Sequence, residues 1–167
     1  MPVSSPEMLP PLAGFVAHFR VRYHEMDALG HVNNAVYLHY MEQAAIDHSN
    51  ALGYTTARLR ELGGLFIARR HEIEYLRPAV AGDLLQVVTW VAEMTAAQSR
   101  REYRIGRLDE SDGQLAPPAD FLVPGAAPLA VPLVRAATHW VWVGTADHRP
   151  RRHPPELRAG FTAQRVR

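Results

Sequence analysis

A single long apolar helix is the feature that most limits what this chain can fold into. The pattern over residues 35–52 predicts it, by apolar side chains at a spacing of about 3.6 residues. These side chains are Tyr37, Met41, Ala44, Ala45, His48 and Leu52. Val36, Tyr40 and Ile46 make the neighbouring faces apolar as well. Because the hydrophilic face is so narrow, we expect protein to surround the helix on most sides, and Gly53 to end it.

Alternating and β-branched runs predict strands before and after this helix. The predicted strands cover residues 15–23, 65–76, 84–94, 97–105 and 136–143, and a short second helix covers residues 55–62. One long helix followed by consecutive antiparallel strands predicts an α+β fold in which a sheet curls around the helix. Because such a sheet leaves an edge strand uncovered, we expect the chain to form a dimer.

The length of 167 residues fits one domain, which we place at residues 15–145. Residues 1–14 hold several Pro and Ser without periodicity and are expected to form a flexible arm. Residues 116–133 are rich in Ala and repeatedly broken by Pro, so we expect an insertion or long loop between two strands. Residues 146–167 are basic and Pro-broken, and are expected to form an exposed extension.

The composition excludes several kinds of chemistry. The sequence has no Cys, which excludes disulfides, thiolate metal sites and Cys nucleophiles. It has no Lys, so an anionic ligand must be held by Arg, His or backbone amides. The nine His residues include no pair with the spacing of an HExxH zinc site, so we expect no bound metal.

Charge and hydropathy bear on partners and location. The net charge of +1 gives no indication of nucleic acid or a membrane surface as the main partner. The N-terminus has neither the basic nor the apolar segment of a signal peptide. No apolar run approaches the roughly 20 residues that a membrane span needs. We therefore expect a cytoplasmic protein that binds neither nucleic acid nor membrane.

The loop that leads into the helix, residues 26–34, is a favourable place for chemistry. It combines Asp27, Gly30, His31 and two Asn residues with the free N–H groups and positive dipole end of a helix N-terminus. Asp27 by itself fits two roles, as a helix cap or Asx turn, or as a nucleophile or general base. His31 fits a general base, because histidine titrates near neutral pH, or a structural and substrate-orienting role.

Three further polar residues belong to the same loop and helix. Asn33 and Asn34 fit the turn and the helix cap. Glu42 lies on a helix that we expect to be buried, where a carboxylate is costly unless it is paired. We therefore expect Glu42 to be either hydrogen-bonded for structural reasons or catalytic.

The loop and the helix resemble a known family. Residues 23–34, YHEMDALGHVNN, followed by Tyr37, Tyr40 and Glu42, resemble the hotdog-fold acyl-CoA thioesterases of the 4-hydroxybenzoyl-CoA thioesterase type. The HVNN segment is also similar to the motif of plant acyl-ACP thioesterases. A second block, residues 73–83 with the sequence IEYLRPAVAGD, is similar to the family's strand–turn–strand and follows in the family's order and spacing.

The resemblance implies a hotdog fold, in which an antiparallel sheet wraps around one long central helix. It implies hydrolysis of an acyl-CoA thioester, in which Asp27 attacks the carbonyl or activates water and the backbone N–H of Asn34 holds the oxyanion. Other branches of the fold use a helix carboxylate, which here is Glu42, as the catalyst. The resemblance implies no cofactor, and the expected assembly is a homodimer or a homotetramer.

The resemblance also implies a set of substrate contacts. Gly30, Asn33 and Tyr37 are expected to bind the acyl thioester. The family meets the phosphates of CoA with basic residues on the sheet and on the partner subunit. The candidates here are Arg69, Arg70 and His71. Two alternatives remain open at this point: a hotdog hydratase or dehydratase, and a non-catalytic module that binds acyl thioesters.

Overall fold

The computed structural model describes residues 14–108, 119–121 and 131–162. Within them, six antiparallel strands form one sheet: β1 Phe15–Arg20, β2 Gly64–Tyr75, β3 Leu84–Met94, β4 Gln98–Leu108, β5 Asp120–Phe121 and β6 Val131–Gly144. Their order across the sheet is β2-β6-β4-β3-β1-β5, which leaves β2 at one edge. The α-helices of these residues are α1 Val36–Ala51, α2 Thr56–Glu61 and α3 Pro155–Thr162. The α+β class is confirmed, and none of the described helices is long and apolar enough to cross a membrane.

Helix α1 lies against β1 and β3 and buries the face that the 3.6-residue spacing predicts. Tyr37, Met41 and Ala44 are fully buried in the main core between this helix and the sheet. The opposite flank is exposed, since Glu42 faces solvent and Ile46 keeps 45 % of its accessible surface. The expectation that protein surrounds the helix on most sides is therefore wrong for the single chain, because a cavity remains between α1 and the inner face of β2 and β6.

Side chains of β4 alternate between the two faces of the sheet. Tyr103 faces α1 and is fully buried in the main core. Arg100 and Arg104 lie on the opposite face, where both pair with Glu102 at nitrogen–oxygen distances of 2.7 Å and 3.4 Å. Arg101 lies on the inner face with Tyr103, which is an uncommon place for a charged side chain.

The elements follow the predicted ones closely, and the differences lie at their ends. Strand β3 has the predicted bounds, and α1 and α2 begin and end within one residue of the predicted helices. Strand β1 stops at Arg20, because Tyr23–Glu25 forms a short 3₁₀ helix instead of continuing the strand. Strands β4 and β6 both extend beyond the predicted ranges.

The insertion predicted over residues 116–133 is partly sheet. Residues 120–121 pair with β1, and residues 131–133 are the beginning of β6, so the prediction of a loop is wrong at both of its described parts. Pro132 enters the sheet opposite a register shift in β4, where a residue without an N–H group is tolerated. The rest of the insertion, and the arm over residues 1–13, lie outside the described residues.

The chain after Thr145 is not the fully exposed extension that we expected. Its described arginines are exposed, but α3 buries Leu157 and Phe161 against a second core. Pro155 begins this helix, at the one helical position where the missing N–H of proline is not needed. The second core is completed by Tyr54, Leu59, Val91, Met94 and Trp142.

The imidazole of His153 lies beside this second core and titrates abnormally. The ring is buried, its Nδ1 lies 3.1 Å from the carbonyl oxygen of Thr95, and its Nε2 has no hydrogen-bond partner among the described residues. Burial lowers the pKa of His153 below its ordinary value of 6.5. Protonation would place a second buried N–H where no acceptor lies.

We expect the free energy of unfolding to fall as the pH is lowered from about 7.5 to about 5.5. The unfolded chain binds a proton on His153 at a higher pH than the folded chain does. Stability that is present above the ordinary pKa is therefore lost as the pH falls toward the folded pKa. Urea unfolding across this range checks the effect, which His153→Gln should reduce. The exposed His24→Gln should leave the slope unchanged, and equal slopes for wild type and His153→Gln would contradict the assignment.

Candidate active site

The loop between β1 and α1 is closed by its own backbone. The N–H of Asp27 donates to the carbonyl of His31 at 2.8 Å, and the N–H of Gly30 donates to the carbonyl of Asp27 at 3.0 Å. Gly30 has a φ of 79°, a left-handed conformation that glycine adopts without strain. The bridge between Met26 and Val32 closes the base of this tight loop.

Asp27 uses its two carboxylate oxygens differently. Its Oδ1 accepts a hydrogen bond from the N–H of Leu29 at 2.8 Å, which is the Asx-turn role foreseen for this residue. Its Oδ2 has no hydrogen-bond partner among the described residues, and the side chain lines a cavity. The structural and the chemical roles are therefore compatible, because the turn uses only one of the two oxygens.

The start of α1 presents an unused backbone donor. The side-chain oxygen of Asn33 accepts from the N–H of Ala35 at 2.9 Å, and its carbonyl accepts from the N–H of Val36 at 2.9 Å. The N–H of Asn34 has no acceptor in the described part of the chain, whereas its carbonyl accepts from the Tyr75 hydroxyl at 2.9 Å. Asn33 therefore holds the turn that leads into the helix, whose N-cap is Ala35. Among the described residues, Asn34 keeps an unpaired N–H at the positive end of the helix.

Glu25 fastens this loop to the helix and to the preceding strand. Its Oε2 accepts from the Tyr40 hydroxyl at 2.7 Å and from the N–H of Arg22 at 2.7 Å. Its carbonyl accepts from the N–H of Asn33 at 2.9 Å. Burial, with the adjacent Glu25 carboxylate, raises the pKa of Tyr40 far above its ordinary range, so the hydroxyl stays a donor. The sequence analysis gave Glu25 no role, although it lies two residues before Asp27.

Tyr40→Phe is expected to lower the free energy of unfolding by about 1–3 kcal/mol, because it removes one of the two donors to a partly buried carboxylate. Chemical denaturation measures the change. Tyr23→Phe makes the same chemical change on a residue that is 89 % exposed, and should cost less than about 0.5 kcal/mol. Equal effects of the two substitutions would mean that the bond between Tyr40 and Glu25 contributes nothing.

A cavity of about 250 Å³ lies beside the Asp27 loop. Its lining residues are Asp27, Leu29, His31, Val32, Asn34, Tyr37, Tyr75, Leu76, Arg77 and Pro78. It brings together four of the residues predicted from the sequence: Asp27, His31, Asn34 and Tyr37. Burial raises the pKa of Tyr37, which therefore remains a neutral hydroxyl.

The sequence analysis missed Tyr75 and Arg77, although both lie in or beside the quoted block over residues 73–83. Tyr75 ends β2 and Arg77 follows it by two residues, and the position of both within the quoted block was a usable signal. Nη1 of Arg77 donates to the carbonyl of Pro132 at 3.0 Å, which fixes its charge at this cavity. Burial raises the pKa of Tyr75.

Two predicted residues support the loop without lining this cavity. Gly30 provides the tight turn of the loop, and Asn33 holds the turn that leads into α1. Glu42 lines a different cavity, of about 290 Å³, between α1 and the inner face of the sheet. The expectation that Glu42 is buried is wrong, because it lies on the exposed flank of α1. A group of three or more His, Asp or Glu side chains that could hold a metal ion is absent from the residues that the structure describes.

The predicted phosphate contacts all lie on β2, at the edge of the sheet. Arg69 is exposed and stands at a bulge, since the pairing with β6 shifts register between Ala68 and Arg70. Arg70 is exposed and lies 3.1 Å from the Glu72 carboxylate. His71 lines the Glu42 cavity, where its Nδ1 lies 2.9 Å from the hydroxyl oxygen of Thr138. Within one chain, none of these basic residues lines the Asp27 cavity.

Sequence comparison finds relatives over most of this architecture. The sequence model of the Thioesterase-like superfamily matches residues 21–161. The acyl-CoA thioesterase YbgC of Haemophilus influenzae is 37 % identical over 95 residues, which are 56 % of this chain and 70 % of that protein. The long-chain acyl-CoA thioesterase FadM of Escherichia coli is 32 % identical over 78 residues, 45 % of this chain. That match spans 56 % of the length of FadM.

Structural comparison gives the same architecture. The crystal structure of Slr0204, a 1,4-dihydroxy-2-naphthoyl-CoA thioesterase from Synechocystis, superposes with a TM-score of 0.70 at 17 % identity. The match covers 89 % of this chain and 95 % of Slr0204, and it confirms the expected hotdog fold. The family model spans the Asp27 loop, every strand after β1, and all but the last residue of α3. The chain therefore belongs to the Thioesterase-like superfamily.

Proposed function

We propose that the protein hydrolyses an acyl-CoA thioester to a free acid and CoA, with Asp27 as the nucleophile or general base. One observation carries the proposal: Asp27 and Asn34 line the same cavity, and Oδ2 of Asp27 and the N–H of Asn34 have no hydrogen-bond partner among the described residues. A carbonyl placed there would meet a negative group and a donor at the positive end of a helix. The names of the relatives support the same chemistry.

The reaction needs few protein groups, because a thioester carbonyl is already activated. The N–H of Asn34 stabilises the negative charge that develops on the carbonyl oxygen. If Asp27 acts as a base, it takes a proton from water, which adds to the carbonyl carbon. If it acts as a nucleophile, it forms an acyl anhydride that water then cleaves. In both routes the carbon–sulfur bond breaks, and the CoA thiolate leaves and takes up a proton.

The remaining lining residues position the substrate in this proposal. Tyr75 holds the Asn34 peptide through its carbonyl, which orients the oxyanion donor. Arg77 provides a positive charge at the cavity for an anionic part of CoA. His31 is exposed at the cavity and orients the substrate or assists in proton transfer.

The basic residues of β2 fit this proposal in an assembly of two or four copies. An edge strand has unpaired backbone groups that a second copy can pair with. Such pairing would bring the exposed Arg69 and Arg70 toward a neighbouring subunit, where they could meet CoA phosphates. Light scattering coupled to size-exclusion chromatography measures the assembly, and a monomer at assay concentration would remove this role.

Release of free thiol from a panel of aliphatic and aromatic acyl-CoAs tests the proposed reaction. Turnover that depends on acyl chain length or aromaticity would support it and name the acyl class. If every acyl-CoA binds without thiol release, the protein is a binding module. Hydration of an enoyl-CoA without thiol release would instead place it with the hydratases of the fold.

A further inference from the structure

A third cavity, mostly apolar, lies away from Asp27 between the helices and the inner face of the sheet, and shares Glu42 and Trp140 with the Glu42 cavity. It encloses about 210 Å³ and shares no lining residue with the Asp27 cavity. Its walls are mostly apolar, which suits an alkyl chain. They include Ile46, Leu59, Leu65, Phe66, Met94 and Phe161.

Arg101 lines this cavity although it keeps only 5 % of its accessible surface. Its Nη1 lies 2.8 Å from Nδ1 of His48 and 3.2 Å from the hydroxyl oxygen of Thr89. Its guanidinium carbon lies 5.9 Å from the ring centroid of Phe161. Among the described residues, no carboxylate lies within ion-pairing distance of Arg101, and its Nε and Nη2 have no hydrogen-bond partner.

A buried guanidinium without a counterion is unfavourable, and arginine does not lose its proton at neutral pH. Burial lowers the pKa of Arg101, which agrees with this desolvation. His48, Thr89 and Phe161 hold the side chain in place, but none of them carries a negative charge. His48 and Thr89 contact only Nη1, and Phe161 contacts only one face of the guanidinium. The N–H groups of Nε and Nη2 therefore remain available for a bidentate pair with a carboxylate. Arg100 and Arg104, on the other face of the sheet, both have the carboxylate of Glu102.

We propose that this cavity binds the carboxylate end of an apolar chain, with Arg101 as its anchor. The carboxylate pairs with Nε and Nη2, and the alkyl chain lies along the apolar walls. Glu42 also lines the cavity and is exposed. Its negative charge disfavours a ligand carboxylate at the Glu42 side of the cavity, so the carboxylate of the ligand is directed toward Arg101. Binding of a free acid does not depend on the proposed hydrolysis. Binding of an acyl-CoA whose acyl group ends in a carboxylate does rest on the proposed hydrolysis.

Calorimetric titration of the full-length protein with octanoate and with 1-octanol tests the site. Octanoate should bind at least about tenfold more tightly than the alcohol, since tenfold corresponds to the weaker end of a charge-assisted hydrogen bond. Arg101→Met should lose this preference, whereas Arg101→Lys should keep part of it. Arg104→Met, the same change on the outer face of β4, should bind octanoate as wild type does.

A variant that does not touch Arg101 guards against a folding artefact. Ile46 is half-exposed and lines the cavity, so Ile46→Trp should narrow it and weaken octanoate binding at least about fivefold, by analogy with the cost of overpacking. Equal affinity of wild type for octanoate and octanol would overturn the proposal. So would a folded Arg101→Met that binds octanoate with unchanged affinity.

The source of the carboxylate is distinguished by hydrolysis of two CoA thioesters, hexadecanoyl-CoA and the mono-CoA thioester of hexadecanedioic acid. A chain of this length is needed because α1 rises about 18 Å from Val36 to His48, which contacts Arg101. A KM at least about tenfold lower for the diacid thioester, abolished by Arg101→Met, would identify the acyl group as the occupant. Equal KM values together with tight octanoate binding would identify a free acid. Failure of both thioesters to react would show that neither is a substrate and leave the octanoate result standing by itself, while the wider acyl-CoA panel tests the proposed hydrolysis.

Discussion

Asp27→Asn is expected to lower kcat for acyl-CoA hydrolysis by about 10²–10⁴-fold while the protein stays folded. The side-chain oxygen of Asn can still accept the hydrogen bond from the N–H of Leu29, so the Asx turn survives. The substitution replaces the carboxylate, whose Oδ2 has no hydrogen-bond partner among the described residues, by an amide that neither attacks a carbonyl nor takes a proton. Thiol release at saturating substrate measures the loss.

A matched control is available on α1. Asp47 accepts a hydrogen bond from Gln43 at 2.8 Å and does not line the Asp27 cavity, so Asp47→Asn should leave kcat within about twofold of wild type. The melting temperatures of both variants should match that of wild type. A loss of less than about tenfold in Asp27→Asn would restrict Asp27 to its role in the turn, since general bases contribute more than that. His31→Gln would then be the next substitution to measure.

Phe161→Ala is expected to lower the free energy of unfolding by about 3–5 kcal/mol. Phe161 is 4 % exposed and joins α3 to the rest of the second core. Its ring stacks on Tyr54 at 5.4 Å between centroids and meets His48 and Phe66 edge-on at 5.7 Å and 6.1 Å. The alanine would leave a cavity among these rings. Chemical denaturation, with two-state behaviour checked by two probes, measures the change.

The control lies in the same C-terminal segment. Arg152 is exposed, so Arg152→Ala should change the free energy of unfolding by less than about 0.5 kcal/mol. A loss below about 1 kcal/mol in Phe161→Ala would mean that α3 detaches without weakening the sheet. If α3 unfolds together with the sheet, the packing energy lost at Phe161 lowers the free energy of unfolding by its full amount. The expected result would place the end of the described chain within the domain and not beyond it.

The local sequence pattern was sufficient to predict α1, β3 and the Asp27 loop. The apolar spacing of α1 and the β-branched run of β3 are strong signals within a few residues, and both elements appear within one residue of their predicted bounds. The Asp27 loop was also predictable, because Asp, Gly and Asn have distinct turn preferences. The full lining of the Asp27 cavity could not be predicted without the fold, because Tyr75 and Arg77 reach it from the C-terminal end of β2.

The remaining differences depend on distant contacts. The segment forming α3 carries Leu157 and Phe161 among polar residues, and its burial depends on Tyr54, about a hundred residues earlier in the sequence. Glu42 looked buried because its helix is apolar, but the sheet covers one face of that helix. The pair Arg100 and Arg101 gives no sign of which side chain turns inward, because both are arginine.

Only one oxygen of Asp27 holds the turn, so a mutation of its codon can remove the carboxylate and leave the loop intact. A single base converts an Asp codon to an Asn codon, and the resulting side chain keeps the bond that shapes the loop. One point mutation would thus turn the protein into an inert receptor of the same shape, rather than an unfolded chain. In the laboratory the same variant is a trap in which an intact thioester could be crystallised.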